Sequence, residues 1–172
     1  MTTLKKSYAG VGSRSTPEAV LAEMATCARM LARLGCTLRS GAADGADRAF
    51  ERGCDAAYGA KEIFLPWKYF NKHPSRLYFI PEDAFKIAET LHERFQYLKA
   101  PVKRLHARNV LQILGQEIND PVAVVLCWTP GAAIVGGTAT AIKLAADLEI
   151  PVINFARPSY KDELIEHLGL KL

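Results

Sequence analysis

Residues 121–155 read PVAVVLCWTPGAAIVGGTATAIKLAADLEIPVINF, and this stretch carries the clearest structural pattern in the chain. Residues 122–127 form a short, valine-rich apolar run, which is typical of a strand buried on both faces. A glycine-bearing loop follows, then TATAIKLAADL with apolar residues at helical spacing, and then a second apolar run at 151–155. This succession of strand, loop, helix and strand predicts a βαβ unit with a right-handed crossover.

The predicted helix of this unit begins directly after Gly136, Gly137 and Thr138. The first N–H groups of a helix have no partner within it, and the helix dipole makes this end partly positive. Such an end binds anions, most often phosphate. The loop therefore predicts a phosphate site above the carboxyl end of the strand.

Length and composition describe an ordinary globular chain. It has 172 residues, 49% of them apolar and 23% charged, which is enough for one domain with a sizeable core. The net charge of +4 suits an anionic ligand without requiring nucleic acid. No apolar run is long enough for a membrane span, and the first ten residues lack the apolar core of a signal peptide.

The four cysteines, Cys27, Cys36, Cys54 and Cys127, contain no C-x-x-C pair and stand in apolar contexts. They are interpreted as reduced core residues of a cytoplasmic protein. No cysteine or histidine pair has the spacing of a zinc site, so no metal is predicted. No cofactor is predicted either.

A first glycine turn follows the strand predicted at residues 7–11. Gly10 lies near the end of this strand, and Gly12, Ser13 and Arg14 follow it before the start of a helix. One interpretation is a phosphate-binding turn, with Arg14 as a bidentate ligand of the anion. The other is a tight turn with an exposed arginine, and the spacing alone does not separate the two.

A second glycine loop, SGAADGAD at residues 40–47, follows the strand predicted at 36–39. Ser40 and Gly41 stand where the backbone would pass close to a ligand. Asp44 and Asp47 are three residues apart, which places both carboxylates on one face of the next helix. Either they stabilise the helix N-terminus, or one of them faces the pocket and binds a ribose hydroxyl or acts as an acid or base.

The middle of the chain departs from this succession of strand, glycine loop and helix. After a third predicted strand at 61–65, the segment 67–80 combines aromatic and basic residues and is interpreted as a lid that contacts the ligand. Helices are predicted at 81–98 and from residue 101 onward. The polar residues of the second helix either form a basic solvent face or include several that reach a pocket, and Arg108 and Asn109 are expected to contact the ligand. These polar residues are Lys103, Arg104, His106, Arg108, Asn109 and Gln112. Residues 66–118 are thus an inserted lid and helical segment within a single domain of residues 1–172.

Together the elements predict an α/β fold, a single Rossmann-like domain with an open, mainly parallel sheet of about five strands and helices on both faces. Such sheets bind ligands at the carboxyl ends of their strands, near the switch in strand order. The three glycine loops, at 10–14, 40–45 and 128–138, would converge there. We expect a nucleotide whose phosphate lies over the first and third loops, and whose base stacks on Trp128, next to Thr129, or on an aromatic residue of the lid.

The motifs VGSR at 11–14, SGAADGAD at 40–47, GGT at 136–138 and IPV at 150–152 resemble the SLOG superfamily, which joins the DprA/Smf (DNA-processing) and LOG proteins. With ARN at 107–109 and CWT at 127–129, the chain looks most similar to short, stand-alone DprA-like proteins of phages and prophages. The resemblance implies a Rossmann-like homo-oligomer in a bacterial or phage-infected cytosol. It also implies binding of nucleotides, nucleotide-derived signals or single-stranded DNA.

Two further hypotheses follow from the two branches of this superfamily. LOG enzymes carry a catalytic glutamate on the helix after their glycine loop, whereas residues 139–142 here are Ala-Thr-Ala-Ile. A nucleotide N-glycosidase (phosphoribohydrolase) would therefore need Asp44 or Asp47 as its carboxylate. Single-stranded DNA binding of the DprA kind would use basic residues of the insertion, namely Lys68, Lys72, Arg76, Lys103 and Arg104.

Overall fold

In the computed structural model, which describes residues 6–172, a five-stranded sheet lies between two layers of helices. Residues 1–5, which belong to the segment tested above for a signal peptide, lie outside the described residues. The strands are β1 (Ser7–Gly10), β2 (Thr37–Ser40), β3 (Lys61–Ile63), β4 (Val125–Cys127) and β5 (Val152–Asn154). The helices are α1 (Glu18–Arg33), α2 (Ala46–Ala56), α3 (Glu82–Leu91), α4 (Ala100–Leu114), α5 (Ala139–Asp147) and α6 (Tyr160–Leu168).

All the strand pairs are parallel, and the strand order is β3-β2-β1-β4-β5. The chain leaves β1 toward β2 on one side, whereas β4 continues to β5 on the other side. The loops after β1 and β4 therefore diverge and open a crevice between the carboxyl ends of these two strands. The sequence prediction of an open, mainly parallel α/β sheet of about five strands with helices on both faces is confirmed.

The apolar run before the third glycine loop faces both helical layers. Val124 and Leu126 pack into the core shared with α1, α2 and α6, whereas Val125 and Cys127 pack into the core shared with α3, α4 and α5. Since successive side chains of a strand point to opposite faces, a strand covered on both sides must be apolar at every position. This is why the run shows no polar alternation.

One helix boundary differs from the sequence prediction, and another agrees with it. The helix predicted at 81–98 ends at Leu91, because His92 is extended and its Nδ1 accepts a hydrogen bond from the Arg94 N–H at 3.2 Å. The second glycine loop ends as predicted, since α2 begins at Ala46, directly after residues 40–45. Gly45 precedes it with a φ of 84°, a left-handed conformation that favours glycine.

The predicted lid segment folds back beside β3. The N–H of Leu65 donates to the carbonyl of Leu77 at 2.8 Å, and Ser75 Oγ donates to the carbonyl of Ile63 at 2.6 Å. Both bonds hold residues 75–77 of the lid against residues 63–65, at the end of β3. The lid residues before them are thereby held near the carboxyl end of the sheet.

Within residues 6–172, no helix has the length and hydropathy that a bilayer span requires. The four cysteines are free thiols, and all but the half-buried Cys36 are buried. Burial raises the pKa of Cys27 and of Cys127 to about 12, so both remain protonated, unreactive thiols at neutral pH.

Candidate functional site

A cavity of about 480 Å³ opens at the switch in strand order, a volume within the range of small-molecule sites. Its walls come from the loops after β1, β2 and β4, from one face of α4, and from the lid. The lining residues are Val11, Gly12, Ser13, Arg14, Ser15, Ala43, Asp44, Asp47, Phe70, Asn71, Leu105, Arg108, Asn109, Gln112, Thr129, Pro130, Val135, Gly136, Gly137, Thr138 and Ala141.

Most of the residues singled out from the sequence lie around this cavity, whereas Gly10, Ser40, Gly41 and Trp128 are not among its lining residues. A Cβ at Gly10 would lie 2.5 Å from the ring of Phe50, so this glycine makes room for the core. Ser40 Oγ donates to the carbonyl of Gly10 at 2.6 Å. These four residues therefore lie behind the cavity wall.

The first and second glycine loops touch through their backbones. A Cβ at Gly45 would lie 2.7 Å from the carbonyl oxygen of Ser13 and 2.9 Å from the Cα of Arg14. The N–H of Ser13 in turn donates to the carbonyl of Trp128 at 3.1 Å. Three loops from distant parts of the sequence are thus in direct contact, and glycine at position 45 is required by this approach as well as by its φ.

One face of α4 forms a wall of the cavity. Leu105, Arg108, Asn109 and Gln112 follow the spacing i, i+3, i+4 and i+7, which places them on a single stripe. Arg108 Nη1 donates to the carbonyls of Gly41 at 2.5 Å and Phe64 at 3.0 Å. The helix thereby fixes the second glycine loop against the end of β3.

The neighbouring residue of the same stripe holds the third loop. Asn109 Nδ2 donates to the carbonyl of Gly137 at 2.6 Å, and Asn109 Oδ1 accepts from Arg108 Nε at 3.0 Å. Two adjacent residues of α4 therefore link the second and third glycine loops. Both were predicted as ligand contacts, and the structure gives each of them hydrogen bonds to protein groups.

The two carboxylates predicted at the second loop have different surroundings. Asp47 is buried, and its Oδ2 accepts from the N–H groups of Gly41 at 3.1 Å and Ala43 at 3.4 Å. Asp44 is exposed and forms an ion pair with Arg48, with Oδ1 and Nε 3.1 Å apart. Asp47 thus organises the loop, whereas Asp44 lies at the rim of the cavity.

The pKa of the Asp47 carboxyl reflects two opposing effects, its burial and the favourable groups around it. Burial raises the pKa of this carboxyl to about 6, although the guanidinium of Arg108 and the two loop N–H groups oppose the rise. Burial also lowers the pKa of Arg108 to about 10, and the Asp47 carboxylate opposes that change. At neutral pH the site therefore contains a buried cation and a carboxylate that titrates just below neutrality.

Acidification is expected to stabilise the folded protein through Asp47. The folded-state pKa of about 6 lies above the ordinary value of 3.8, so the folded state binds more protons between these values, and stability is lost as the pH rises through about 6. The raised pKa of Asp47 lowers the free energy of unfolding by about 3 kcal/mol in total as the pH rises, and about 1 kcal/mol of this loss falls between pH 5 and pH 7.

Urea denaturation at pH 5 and pH 7 measures this difference in the wild type and in the Asp47→Asn variant. The asparagine keeps an oxygen that accepts the loop N–H groups but does not titrate, so this part of the pH dependence should disappear. An identical pH dependence in the two proteins contradicts the assignment to Asp47.

The N-terminus of α5 presents unpaired backbone donors to the cavity. Within residues 6–172, the N–H groups of Gly136, Gly137, Thr138 and Ala141 donate to no protein acceptor, and α5 has no side-chain cap. All four residues line the cavity. Unpaired N–H groups at the positive end of a helix dipole form an anion site.

The lid contributes an aromatic ring and an amide. The guanidinium of Arg108 lies 5.5 Å from the centroid of the Phe70 ring, a cation–π distance. Asn71 Nδ2 donates to the carbonyl of Ala42 at 2.9 Å, which ties the lid to the second glycine loop. Tyr69, Asn71 and Lys72 each have a φ between 49° and 62°, so the lid turns in a conformation that side-chain-bearing residues seldom adopt.

Several lining residues were absent from the sequence prediction of the site. Leu105 and Gln112 share the helical spacing of Arg108 and Asn109, which is a signal that the sequence does contain. Phe70, Asn71 and Val135 could not be chosen in this way, because their positions depend on how the lid and the third loop fold. No group of three or more metal-binding side chains of the His, Cys, Asp or Glu types occurs among the described residues.

Comparison with known proteins supports the fold. No family model and no curated protein sequence matches the chain. The molybdenum cofactor carrier protein from Chlamydomonas reinhardtii is similar over 95% of this chain and 85% of its own, at 16% identity and a TM-score of 0.53.

Two DNA processing proteins A (DprA) also share the fold. The protein from Helicobacter pylori, studied for its single-stranded DNA binding mode, covers 94% of this chain and 72% of its own, at 21% identity and a TM-score of 0.57. The Streptococcus pneumoniae protein covers 98% of this chain and 58% of its own, at 16% identity and a TM-score of 0.54. At these identities the property that the chain shares with the three proteins is the fold.

Proposed function

We propose that this protein binds a nucleotide or a nucleotide-derived small molecule in the cavity at the switch in strand order. The observation that carries the proposal is the group of unpaired N–H donors at the start of α5, which open onto a cavity of about 480 Å³. A phosphate on these donors would lie above the carboxyl ends of β1 and β4, where open α/β sheets bind their ligands.

The remaining walls fit the other parts of such a ligand. Arg14 is exposed at the rim and forms no ion pair within residues 6–172, so its guanidinium is free to bind a phosphate. The base is proposed to lie against Phe70, since this lid aromatic lines the cavity whereas Trp128 does not. The Chlamydomonas neighbour, which by its name carries the molybdenum cofactor, supports small-molecule binding by this fold.

Replacing Arg14 by alanine is expected to weaken nucleotide binding about 10-fold, because one charge-assisted contact to phosphate is lost. Isothermal titration calorimetry with a panel of nucleoside monophosphates and diphosphates measures the effect. Arg29→Ala, an exposed arginine of α1 outside the cavity lining, is the matched control. Absence of binding by the wild type, or equal affinities of wild type and Arg14→Ala, would count against the proposed site.

An N-glycosidase that cleaves nucleotides is the second candidate. It is favoured by one observation, the buried Asp47 carboxyl at the cavity wall, whose pKa burial raises to about 6. A carboxyl that titrates near neutrality suits general acid–base chemistry. Between the two predicted carboxylates the proposal favours Asp47, since Asp44 is exposed and paired with Arg48. Release of free base by the wild type and its loss in Asp47→Asn would support hydrolysis, and an intact nucleotide after prolonged incubation would exclude it.

Single-stranded DNA binding is the third candidate. Lys68, Lys72 and Arg76 are exposed on the lid, whereas Arg104 is half-buried and its Nε donates to the carbonyl of Pro66 at 2.7 Å. The Helicobacter pylori neighbour, a DNA processing protein A with a single-stranded DNA binding mode of its own, supports this candidate. Affinity for an oligonucleotide should then fall steeply with salt, and a flat salt response would exclude it.

We also propose that the chain is a relative of DprA proteins from a phage or prophage, and that residues 1–172 form one domain that acts in the cytosol. The SGAADGAD motif of residues 40–47 and the shared fold support this kinship. A search for close homologues with their gene neighbourhoods would test it. Homologues confined to chromosomal genes far from phage genes would contradict it.

A homo-oligomer is proposed from the exposed apolar surface. Tyr69, Phe79 and Tyr97 are each more than 60% exposed, and burial of such aromatic side chains at an interface would stabilise an oligomer. Light scattering coupled to size-exclusion chromatography gives the mass in solution. A mass equal to that of one chain, 18.9 kDa, at high concentration would contradict the proposal.

A further inference from the structure

Gln112 is a polar side chain at the cavity wall that has no hydrogen-bond partner among residues 6–172. It is 2% exposed and lies on the α4 stripe that faces the cavity. Its amide makes no hydrogen bond within residues 6–172. Among these residues, the buried side-chain groups that lack both a hydrogen-bond partner and access to solvent are Tyr8 Oη and Gln116 Oε1, and the Gln112 amide is not one of them. The amide therefore reaches the cavity itself. A buried amide without partners is rare in folded proteins, because each unpaired donor or acceptor costs free energy.

The surroundings of Gln112 keep its amide in place. A Cβ at Gly41 would lie 2.3 Å from Gln112 Nε2 and 2.5 Å from Arg108 Nη1. The absence of a side chain at position 41 thus makes room for both groups, side by side. Arg108 is fixed by its bonds to two backbone carbonyls, and it restricts the amide from one side.

The chemistry of this amide differs from that of the anion site. The N-terminus of α5 offers only donors, which suits phosphate oxygens because these only accept. A glutamine amide instead places one donor and one acceptor next to each other. The matching group on a ligand is a planar edge with an acceptor beside a donor, which is what nucleobases present.

We propose that Gln112 is the specificity-determining residue of the cavity and forms paired hydrogen bonds with the edge of a nucleobase. This inference rests on the proposed nucleotide-binding function and assigns the base end of the ligand to α4. A site built to form hydrogen bonds with a ligand rejects analogues that lack the matching groups, because the protein groups are then left unpaired.

The test compares ligands with and without a base. Calorimetry is performed with AMP, GMP, CMP, UMP and ribose 5-phosphate on the wild type, Gln112→Met and the control Gln96→Met, which alters an exposed glutamine outside the cavity lining. In the wild type and the control, the preferred nucleotide should bind at least 10-fold more tightly than ribose 5-phosphate. In Gln112→Met this advantage should shrink about 10- to 100-fold, with the affinity for ribose 5-phosphate unchanged.

A second variant covers the case in which Gln112→Met does not fold. Gln112→Glu has the same size and keeps an acceptor oxygen but loses the amide donor, so the order of preference among the four nucleotides should change. Equal nucleotide affinities of wild type and Gln112→Met, or an unchanged order in Gln112→Glu, overturn the role of Gln112 alone. Failure of the wild type to bind any of the five probes overturns the nucleotide-binding proposal and this inference with it.

Discussion

Replacing Arg108 by methionine is expected to lower the free energy of unfolding by about 3–5 kcal/mol, because two buried carbonyls lose their donor and the buried Asp47 carboxylate loses a nearby positive charge. The substitution removes the hydrogen bonds to the carbonyls of Gly41 and Phe64. It also removes the positive charge that opposes the raised pKa of the buried Asp47 carboxyl. The pKa of Asp47 should therefore rise further, and the loss should be larger at pH 8 than at pH 5.

Urea denaturation followed by circular dichroism measures this loss. Arg104→Met, on the same helix, removes one half-buried arginine that donates to a single carbonyl, and it should cost about 1 kcal/mol. Addition of Asp47→Asn to Arg108→Met should recover part of the stability at pH 8, because the uncompensated carboxylate is gone. Equal losses for Arg108→Met and Arg104→Met would show that the charge interaction of Arg108 with Asp47 contributes nothing to stability.

Local sequence patterns were sufficient to predict the fold. The valine-rich run at 122–127 lacks polar alternation, and this is the pattern of a strand that carries helices on both faces. A glycine loop after each of three predicted strands marks the strand–helix turns of a parallel sheet. The early end of α3 at Leu91 was not predictable, since it depends on a hydrogen bond from the Arg94 N–H to the side chain of His92 rather than on any helix-breaking residue.

The candidate site was predictable to a lesser degree, because local patterns give the loops but not the contacts between them. The sequence favoured a ligand role for Gly41, whereas the structure shows that its small size accommodates Arg108 and Gln112. Trp128 was expected to stack on a base, yet its side chain packs against the core beside β4. An aromatic residue directly after a buried strand points to the cavity or to the core according to its register, which the sequence leaves open.

The loops and α4 depend on one another, and this limits how separately their functions can be tested. Arg108 and Asn109 hold the second and third glycine loops through backbone carbonyls, so substitutions at either residue affect both the fold and the site. A decisive test of ligand binding must therefore alter the anion site without disturbing these bonds. Gly137 meets this condition, because a Cβ at this position would have no atom within 4 Å and its backbone does not adopt a left-handed φ.

Replacing Gly137 by aspartate is expected to weaken binding of nucleotides and of inorganic phosphate at least about 100-fold, because two like charges 4 Å apart repel by about 4 kcal/mol at an effective dielectric constant of 20. The stability of the folded protein should increase rather than fall. A carboxylate next to the N-terminus of α5 complements the helix dipole and should raise the free energy of unfolding by about 0.3–1 kcal/mol.

The controls separate charge from size. Gly137→Ala adds only a methyl group in open space, and Gly137→Asn has the shape of aspartate without its charge. Both should keep affinities within about 10-fold of the wild type, since the neutral variants lack the charge repulsion of aspartate. Calorimetry with inorganic phosphate and the preferred nucleotide gives the affinities, and urea denaturation gives the stabilities. A Gly137→Asp variant that binds as tightly as Gly137→Asn would show that the phosphate does not lie at the start of α5, whereas lost binding together with increased stability would support a phosphate at this position.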